Sequence, residues 1–148
     1  MQRTEPHSDE RVRASFAQQA IMKTIGARMT RVSPGEVVIE LTFREDLTQQ
    51  HGFVHAGVIT AIVDSACGYA ALSLMPPNSG VLTVEYKANF LSPAKGSTFI
   101  ATGRVVKPGR TLTVCSGDVV AVDEGKEKTI ATMLATMMRL PGEGGSSK

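Results

Sequence analysis

An α+β fold, with a curved antiparallel sheet wrapped around one long central helix, is predicted by three features of this 148-residue chain. Residues 56–74 form an apolar run of mostly small side chains, and Asp64 is the only charged residue between Gly52 and Glu85. After Gly80 the chain alternates apolar and polar positions in runs separated by turn residues, the period-two pattern of half-buried strands. A helix apolar on nearly every side has no face to offer water, so the strands must cover most of it.

Taken in order, Ser8, Asp9 and Glu10 supply capping chemistry for a first helix running to about Ile25, with Gly26 as its stop. Ser33-Pro34-Gly35 makes a turn. Val37, Ile39, Leu41 and Phe43 then alternate with Glu36, Glu40 and Thr42 as a half-buried strand. The central helix ends before Pro76-Pro77-Asn78. Leu82, Val84, Tyr86, Ala88 and Phe90 alternate against Thr83, Glu85, Lys87 and Asn89. The turn Ser92-Pro93-Ala94-Lys95-Gly96 leads to a strand at 98–107, Pro108-Gly109 to one at 111–122, and Asp123-Glu124-Gly125-Lys126 to one at 129–140. Four strands joined in this way predict an antiparallel meander. The chain reads as one domain over residues 1–140, followed by a flexible Pro/Gly/Ser-rich tail over 141–148.

Composition narrows the function. Hydrophobic content of 42% and charged content of 20% fit a globular protein and exclude a disordered one. A formal charge of +2 is too balanced to point to nucleic acid or an anionic membrane as the partner. Two cysteines, Cys67 and Cys115, make no Cys-x-x-Cys pair, which fits a reducing cytoplasm, and the N-terminus carries no apolar signal core. The run from Gly52 to Pro76 approaches membrane-spanning length. It would carry His55, Thr60, Asp64, Ser65 and Ser73 into hydrocarbon, so a buried core helix is the better reading.

The chemistry concentrates around Asp64. A lone carboxylate among apolar groups costs stability unless it is paired, hydrogen-bonded or neutral, and such groups tend to be kept where they react. At helical pitch Gly57, Thr60/Ala61, Asp64, Cys67/Gly68 and Ala71 share one stripe, leaving room beside the carboxylate for a ligand or another helix. A structural Asp bonded to backbone or water is the competing reading. The start of the same helix offers a second site, because its free N–H groups and positive dipole end stabilise an oxyanion, and Gly57 permits close approach. Ala56 and Asp64 are eight residues apart, roughly 12 Å of helix, whereas an attacking group must come within about 3 Å of the carbonyl. If both act on one substrate, they come from different subunits.

Gln49, His55-Ala56-Gly57 and Asp64, in that order, resemble the PaaI-type hotdog-fold thioesterases, which carry a polar residue, a His-Gly-Gly turn and an acid in the central helix. The run from Val84 to Gly96 resembles the family's next strand and turn, and the likeness spans about residues 10–140. The resemblance implies a hotdog-fold homo-oligomer, a dimer or a homotetramer, that hydrolyses a small aryl- or medium-chain acyl-CoA without metal or other cofactor. By it, Asp64 attacks the thioester or activates water, the Ala56 N–H binds the carbonyl oxygen, Gln49 orients substrate or water, His55 shapes the turn, and Thr83 positions a water. Ala56 departs from the family's usual Gly: the N–H survives, but the methyl group narrows the approach.

Each residue has a plainer alternative. His51 and His55 are satisfied loop histidines, Gln49 a turn residue and Thr83 a strand threonine. Cys67 lies one turn from Asp64 with no activating base and reads as packing; Met133, Met137 and Met138 read as core or interface filler. Lys87, Lys95, Arg104, Lys107 and Arg110 are candidate partners for coenzyme A phosphates, with Lys95 and Arg110 preferred because they lie on turns. Two other functions compete: a non-catalytic acyl-CoA sensor, and a hydratase or dehydratase using a His and an acid at the acyl Cα/Cβ.

Overall fold

The structure, a computed structural model, describes residues 7–142. Of the expected tail only Pro141 and Gly142 are among them; the remainder lies outside the described residues. The first helix is two: α1 (His7–Gln18) and α2 (Ala20–Ile25), separated at Gln19, whose φ of −79° and ψ of 97° are extended. Ser8 lies inside α1 rather than at its cap. No Gly or Pro forces the break, so its cause is tertiary. The Gln19 side chain accepts a hydrogen bond from Ser65 Oγ at 2.8 Å, and Arg11 donates to the carbonyls of Leu72, Met75 and Pro76. Those bonds hold α1 to the central helix and turn the chain before α2. Gly26, at φ 77°, then stops α2, with the Gly26 and Ala27 N–H groups bonding back to Lys23 O and Met22 O.

A strand that periodicity did not reveal follows. β1 (Arg28–Ser33) pairs antiparallel with β2 (Glu36–Thr42) across the expected turn, with a bulge between Met29 and Arg31. The bulge, and the lack of any buried side chain in β1, erase the alternation that marks β2, where Val37, Ile39 and Leu41 are fully buried. Phe43 falls beyond the end of β2 and is exposed. The central helix, α3, runs Ala56–Ser73, and β3 (Gly80–Phe90), β4 (Thr98–Lys107), β5 (Leu112–Asp123) and β6 (Lys126–Leu140) complete one six-stranded antiparallel sheet.

The sheet order is β1-β2-β4-β5-β6-β3, which corrects the expected four-strand meander. Of the four strands from β3 to β6, only β4, β5 and β6 lie side by side in chain order. β3 lies at the far edge against β6, with Thr83 opposite Met137 and Ala88 opposite Met133. Turn residues announce a change of direction but not the partner beyond it. The segment after β3 runs over the end of the sheet, where Leu91 N–H bonds to Ile130 O, Val54 N–H to Ala94 O, and Ser97 N–H to Val122 O. It thereby delivers β4 to the other side of β6 and β5.

α3 lies across the concave face of this sheet. Two strand glycines let it approach closely: a Cβ at Gly103 would stand 2.3 Å from the Ala66 carbonyl carbon, and one at Gly117 would stand 2.6 Å from Val63 Cγ2. Small residues on the helix answer small residues on the sheet, so Ala66, Cys67, Ala70 and Ala71 are fully buried. Among the described residues α3 alone is long and apolar enough to cross a membrane. Here it is the core helix.

Candidate active site

The loop before α3 is held by its own side chains. Gln49 Oε1 accepts hydrogen bonds from His51 N–H at 2.6 Å and Phe53 N–H at 3.4 Å, closing a turn that also pairs Gln49 N–H with Phe53 O. Among the described residues the Gln49 amide nitrogen has no partner. His55 is the N-cap of α3: its φ of −60° and ψ of 138° are extended, and Nδ1 accepts from Gly57 N–H at 2.7 Å. In that role neutral His55 carries its proton on Nε2. Gly57 leaves room for the cap, since a Cβ there would sit 3.0 Å from His55 Nδ1, a tight contact. The N–H groups of Val58 and Ile59 both go to His55 O. Among the described residues Ala56 N–H has no partner, and Ala56 is exposed. It opens on a cleft of about 500 Å³ lined by Gln49, His51, His55, Ile59, Phe90 and Pro93, among others.

Asp64 faces elsewhere. It is half-buried and accepts a hydrogen bond from Thr83 Oγ1 at 2.7 Å. Burial holds its carboxyl above the ordinary carboxylate value, and the Thr83 bond pulls it part of the way back. No ion pair reaches it among the described residues. Arg11 lines the same cavity, but three of its N–H donors go to the carbonyls of Leu72, Met75 and Pro76. The cavity measures about 310 Å³ and is walled by α1, α3, β3 and β6. Cys67 is fully buried and burial pushes its thiol far up; the Cys115 thiol is pushed up to about 11. Neither is a nucleophile at neutral pH.

Thus the free N–H of Ala56 and the carboxylate of Asp64 belong to one helix but open into separate cavities, roughly 12 Å apart along the axis. Of the site residues singled out in the sequence, Gln49, His55, Ala56 and Gly57 gather at the helix start, and Asp64 and Thr83 gather at its middle. Lys95 is exposed beside the first cleft, 4.0 Å from Asp123, in a hollow that shares Phe53 and Ala94 with that cleft. Arg110 is exposed in the turn after β4, whose ten residues separate it from Lys95 by roughly 30 Å. One protomer does not bring the two cations together.

Comparison with known proteins places this arrangement. The sequence profile of the thioesterase superfamily matches residues 51–128, which contain Ala56, Asp64 and Thr83. The chain belongs to the thioesterase superfamily. It is a thioester hydrolase with the hotdog fold. A thioesterase family protein from Silicibacter pomeroyi is 52% identical, and the likeness covers 91% of this chain and 99% of that one at a TM-score of 0.90. Human acyl-coenzyme A thioesterase 13 is 31% identical over 66% of this thioesterase and 70% of its own length. The PaaI protein of Escherichia coli, from the phenylacetic acid degradation operon, is 21% identical but shares the fold across 95% of this chain and 98% of that one, with a TM-score of 0.83.

Part of the thioesterase's Asp64 cavity escaped the sequence reading. Arg11 and Ser15 from α1, Gln19 at the break after it, and Ser65 and Tyr69 from α3 line it alongside Thr83. Ser65 adjoins Asp64 in sequence and was within reach of a closer reading of the helix. The α1 residues carried no signal, because nothing local indicates that α1 folds back over α3.

Proposed function

We propose that this thioesterase hydrolyses acyl-coenzyme A esters with small aryl or medium-chain acyl groups, at sites shared between two subunits in the cytoplasm. One subunit supplies Ala56 N–H, the donor for the oxyanion that develops on the thioester carbonyl; the other supplies Asp64, which attacks the carbonyl carbon or takes a proton from the water that does. The observation that carries this reading is the pair of separate cavities, each holding half of the chemistry. Neither half suffices: an oxyanion donor without an attacking group holds a carbonyl, and a carboxylate without the donor faces an unstabilised intermediate.

The edge of the sheet supports the pairing of subunits. Among the described residues β3 has no neighbour on its outer side, and Leu82, Val84, Tyr86 and Phe90 along it are each about half exposed, at 48–53%. An apolar strand edge with open N–H and C=O groups is an aggregation hazard unless another strand covers it. A second copy of β3 covers it symmetrically and sets each Asp64 toward the partner's helix start. In this reading Gln49 presents its amide donors near the carbonyl, Thr83 orients the carboxylate, and His55 and Gly57 hold the helix start in shape. Lys95, at the mouth of the Ala56 cleft, meets a coenzyme phosphate; Arg110 serves the same coenzyme only from the other subunit.

The test is thiol release from a panel of acyl-coenzyme A esters by the wild type and by Asp64→Asn. The variant is expected to lose about 10²- to 10⁴-fold in kcat while its oligomer persists in size-exclusion chromatography. Near-wild-type turnover by Asp64→Asn would refute the assignment, and tight binding of every ester without thiol release would favour the sensor function instead.

A further inference from the structure

Hydrolysis of a thioester consumes a water, and a bound water needs both acceptors and donors around it. β3 supplies no donor. Thr83 has a single hydroxyl proton. It goes to Asp64 Oδ1 at 2.7 Å, with Met137 Sδ at 3.4 Å as the poorer alternative, so none remains for a water. Asp64 Oδ2 has no hydrogen-bond partner among the described residues and can accept a proton from a water. The donor that fixes this water must come from another wall of the cavity.

The opposite wall offers one at the right level. α1 runs antiparallel along α3: Arg11 donates to Leu72 O, Ser15 Oγ lies 3.2 Å from Tyr69 OH, and Gln19 meets Ser65. All six residues line the Asp64 cavity. Tyr69 and Leu72 stand five and eight residues beyond Asp64, about 7.5 Å and 12 Å along the axis, whereas Ser65 is the next residue. Gln19 alone of the three therefore comes to the level of the carboxylate. Ser65 Oγ–H donates to Gln19 Oε1 at 2.8 Å and fixes the amide, and the amide nitrogen has no partner among the described residues. The first helix breaks at this same residue, in the run Ala17-Gln18-Gln19-Ala20, which contains only residues that favour helix.

We infer that Gln19 is a further catalytic residue, which holds the attacking water against Asp64. The inference rests on the proposed thioester hydrolysis at Asp64 and adds the group that fixes its water. Gln19 Nε2–H donates to one lone pair of the water while Asp64 Oδ2 accepts one of its protons. The second lone pair forms the bond to the carbonyl carbon as that proton passes to Asp64. The C–S bond then breaks, and the departing thiolate takes the proton from Asp64. The products are the free acid and the thiol, and the carboxylate is restored. Because Gln19 fixes the water and not the ester, its loss lowers kcat and leaves KM in place.

Gln19→Met removes the donors at nearly equal length, whereas Ser65→Ala keeps them but frees the amide to turn. Steady-state thiol release from an ester that the wild type turns over is measured for both, with thermal unfolding as the check on folding. Gln19→Met is expected to lose about 10- to 100-fold in kcat with KM changed by less than about twofold, and Ser65→Ala about 3- to 10-fold in kcat. Added hydroxylamine separates the water from the scaffold. It attacks the carbonyl without first losing a proton to a base, so hydroxamate forms independently of Gln19. The ratio of hydroxamate to free acid, corrected for the uncatalysed reaction, should rise about tenfold in Gln19→Met. An equal loss of both products, or a kcat within about threefold of the wild type, overturns the inference and leaves the thioesterase reading standing. If Gln19→Met does not fold, Ser65→Ala carries the test, and an unchanged product ratio overturns the inference. No hydrolysis of any ester by the wild type overturns both.

Discussion

At the scale of single residues, Asp64 and Thr83 behave as one unit. Burial raises the Asp64 carboxyl, and the hydrogen bond from Thr83 lowers it, because that bond is made to the charged form. If Asp64 acts as its carboxylate, the acid limb of kcat/KM against pH lies above the ordinary Asp value of about 3.9. Thr83→Val removes the opposing effect and is expected to move that limb to higher pH, measured across a buffered series with one ester. A limb that stays in place in Thr83→Val would mean that another group titrates. The same shift has a consequence for stability. The folded state holds the Asp64 proton more tightly than the unfolded chain does, so the contribution favours folding at low pH and is lost as pH rises through the raised value. At pH 7 the buried charge weakens the fold. Asp64→Asn should therefore raise the thermal midpoint at pH 7, and the gain should fade in melts below about pH 3.9.

At the scale of elements, the contact of α3 with the sheet depends on two strand positions that carry no side chain. Gly103 sits against the backbone of Ala66 and Cys67, and Gly117 against Val63 and Cys67. At Gly103 the obstruction is helix backbone, which no rotamer change relieves. Gly103→Ala is expected to destabilise the protein by about 1–3 kcal/mol, read from urea unfolding midpoints. The small residues of α3 were legible in the sequence as a stripe; the glycines that they meet were not, because they lie on strands far along the chain. The same holds for Gln19. Its neighbours favour helix locally, and only the bond to Ser65 and the clamp of Arg11 on the end of α3 break the first helix in two. β1 escaped for a different reason, since a bulge and exposed side chains removed its alternation.

At the scale of the whole molecule, the function proposed for one chain requires two. Subunit complementation measures this directly. Ala56→Pro deletes the N–H while suiting the first position of a helix, and His55 already has the extended backbone that precedes a proline. Asp64→Asn and Ala56→Pro should each be inactive alone. Refolded together in equal amounts, half of the dimers are mixed, and each mixed dimer carries one intact site, so about a quarter of wild-type thiol release should return. No recovery from a confirmed mixed dimer would place both groups in the same subunit's site. A lysine in place of Val84, on the open edge of β3, should lower the apparent mass in sedimentation and the activity together.

The amino-acid sequence by itself determined the class of the fold, the central helix and its lone acid, and the family. Those features are local or periodic: an apolar run, alternation along strands, and a short order of residues from Gln49 to Asp64. The tertiary structure alone decided that β3 pairs with β6 instead of β4. It also decided that Ala56 and Asp64 open into different cavities, and that α1 folds back to furnish part of the polar wall of one of them. These depend on contacts between residues far apart in the chain, where each partner looks ordinary on its own. Hydrophobic patterning sets which faces are buried, whereas the choice of partner rests on close packing and hydrogen bonds that exist only once the chain has closed on itself.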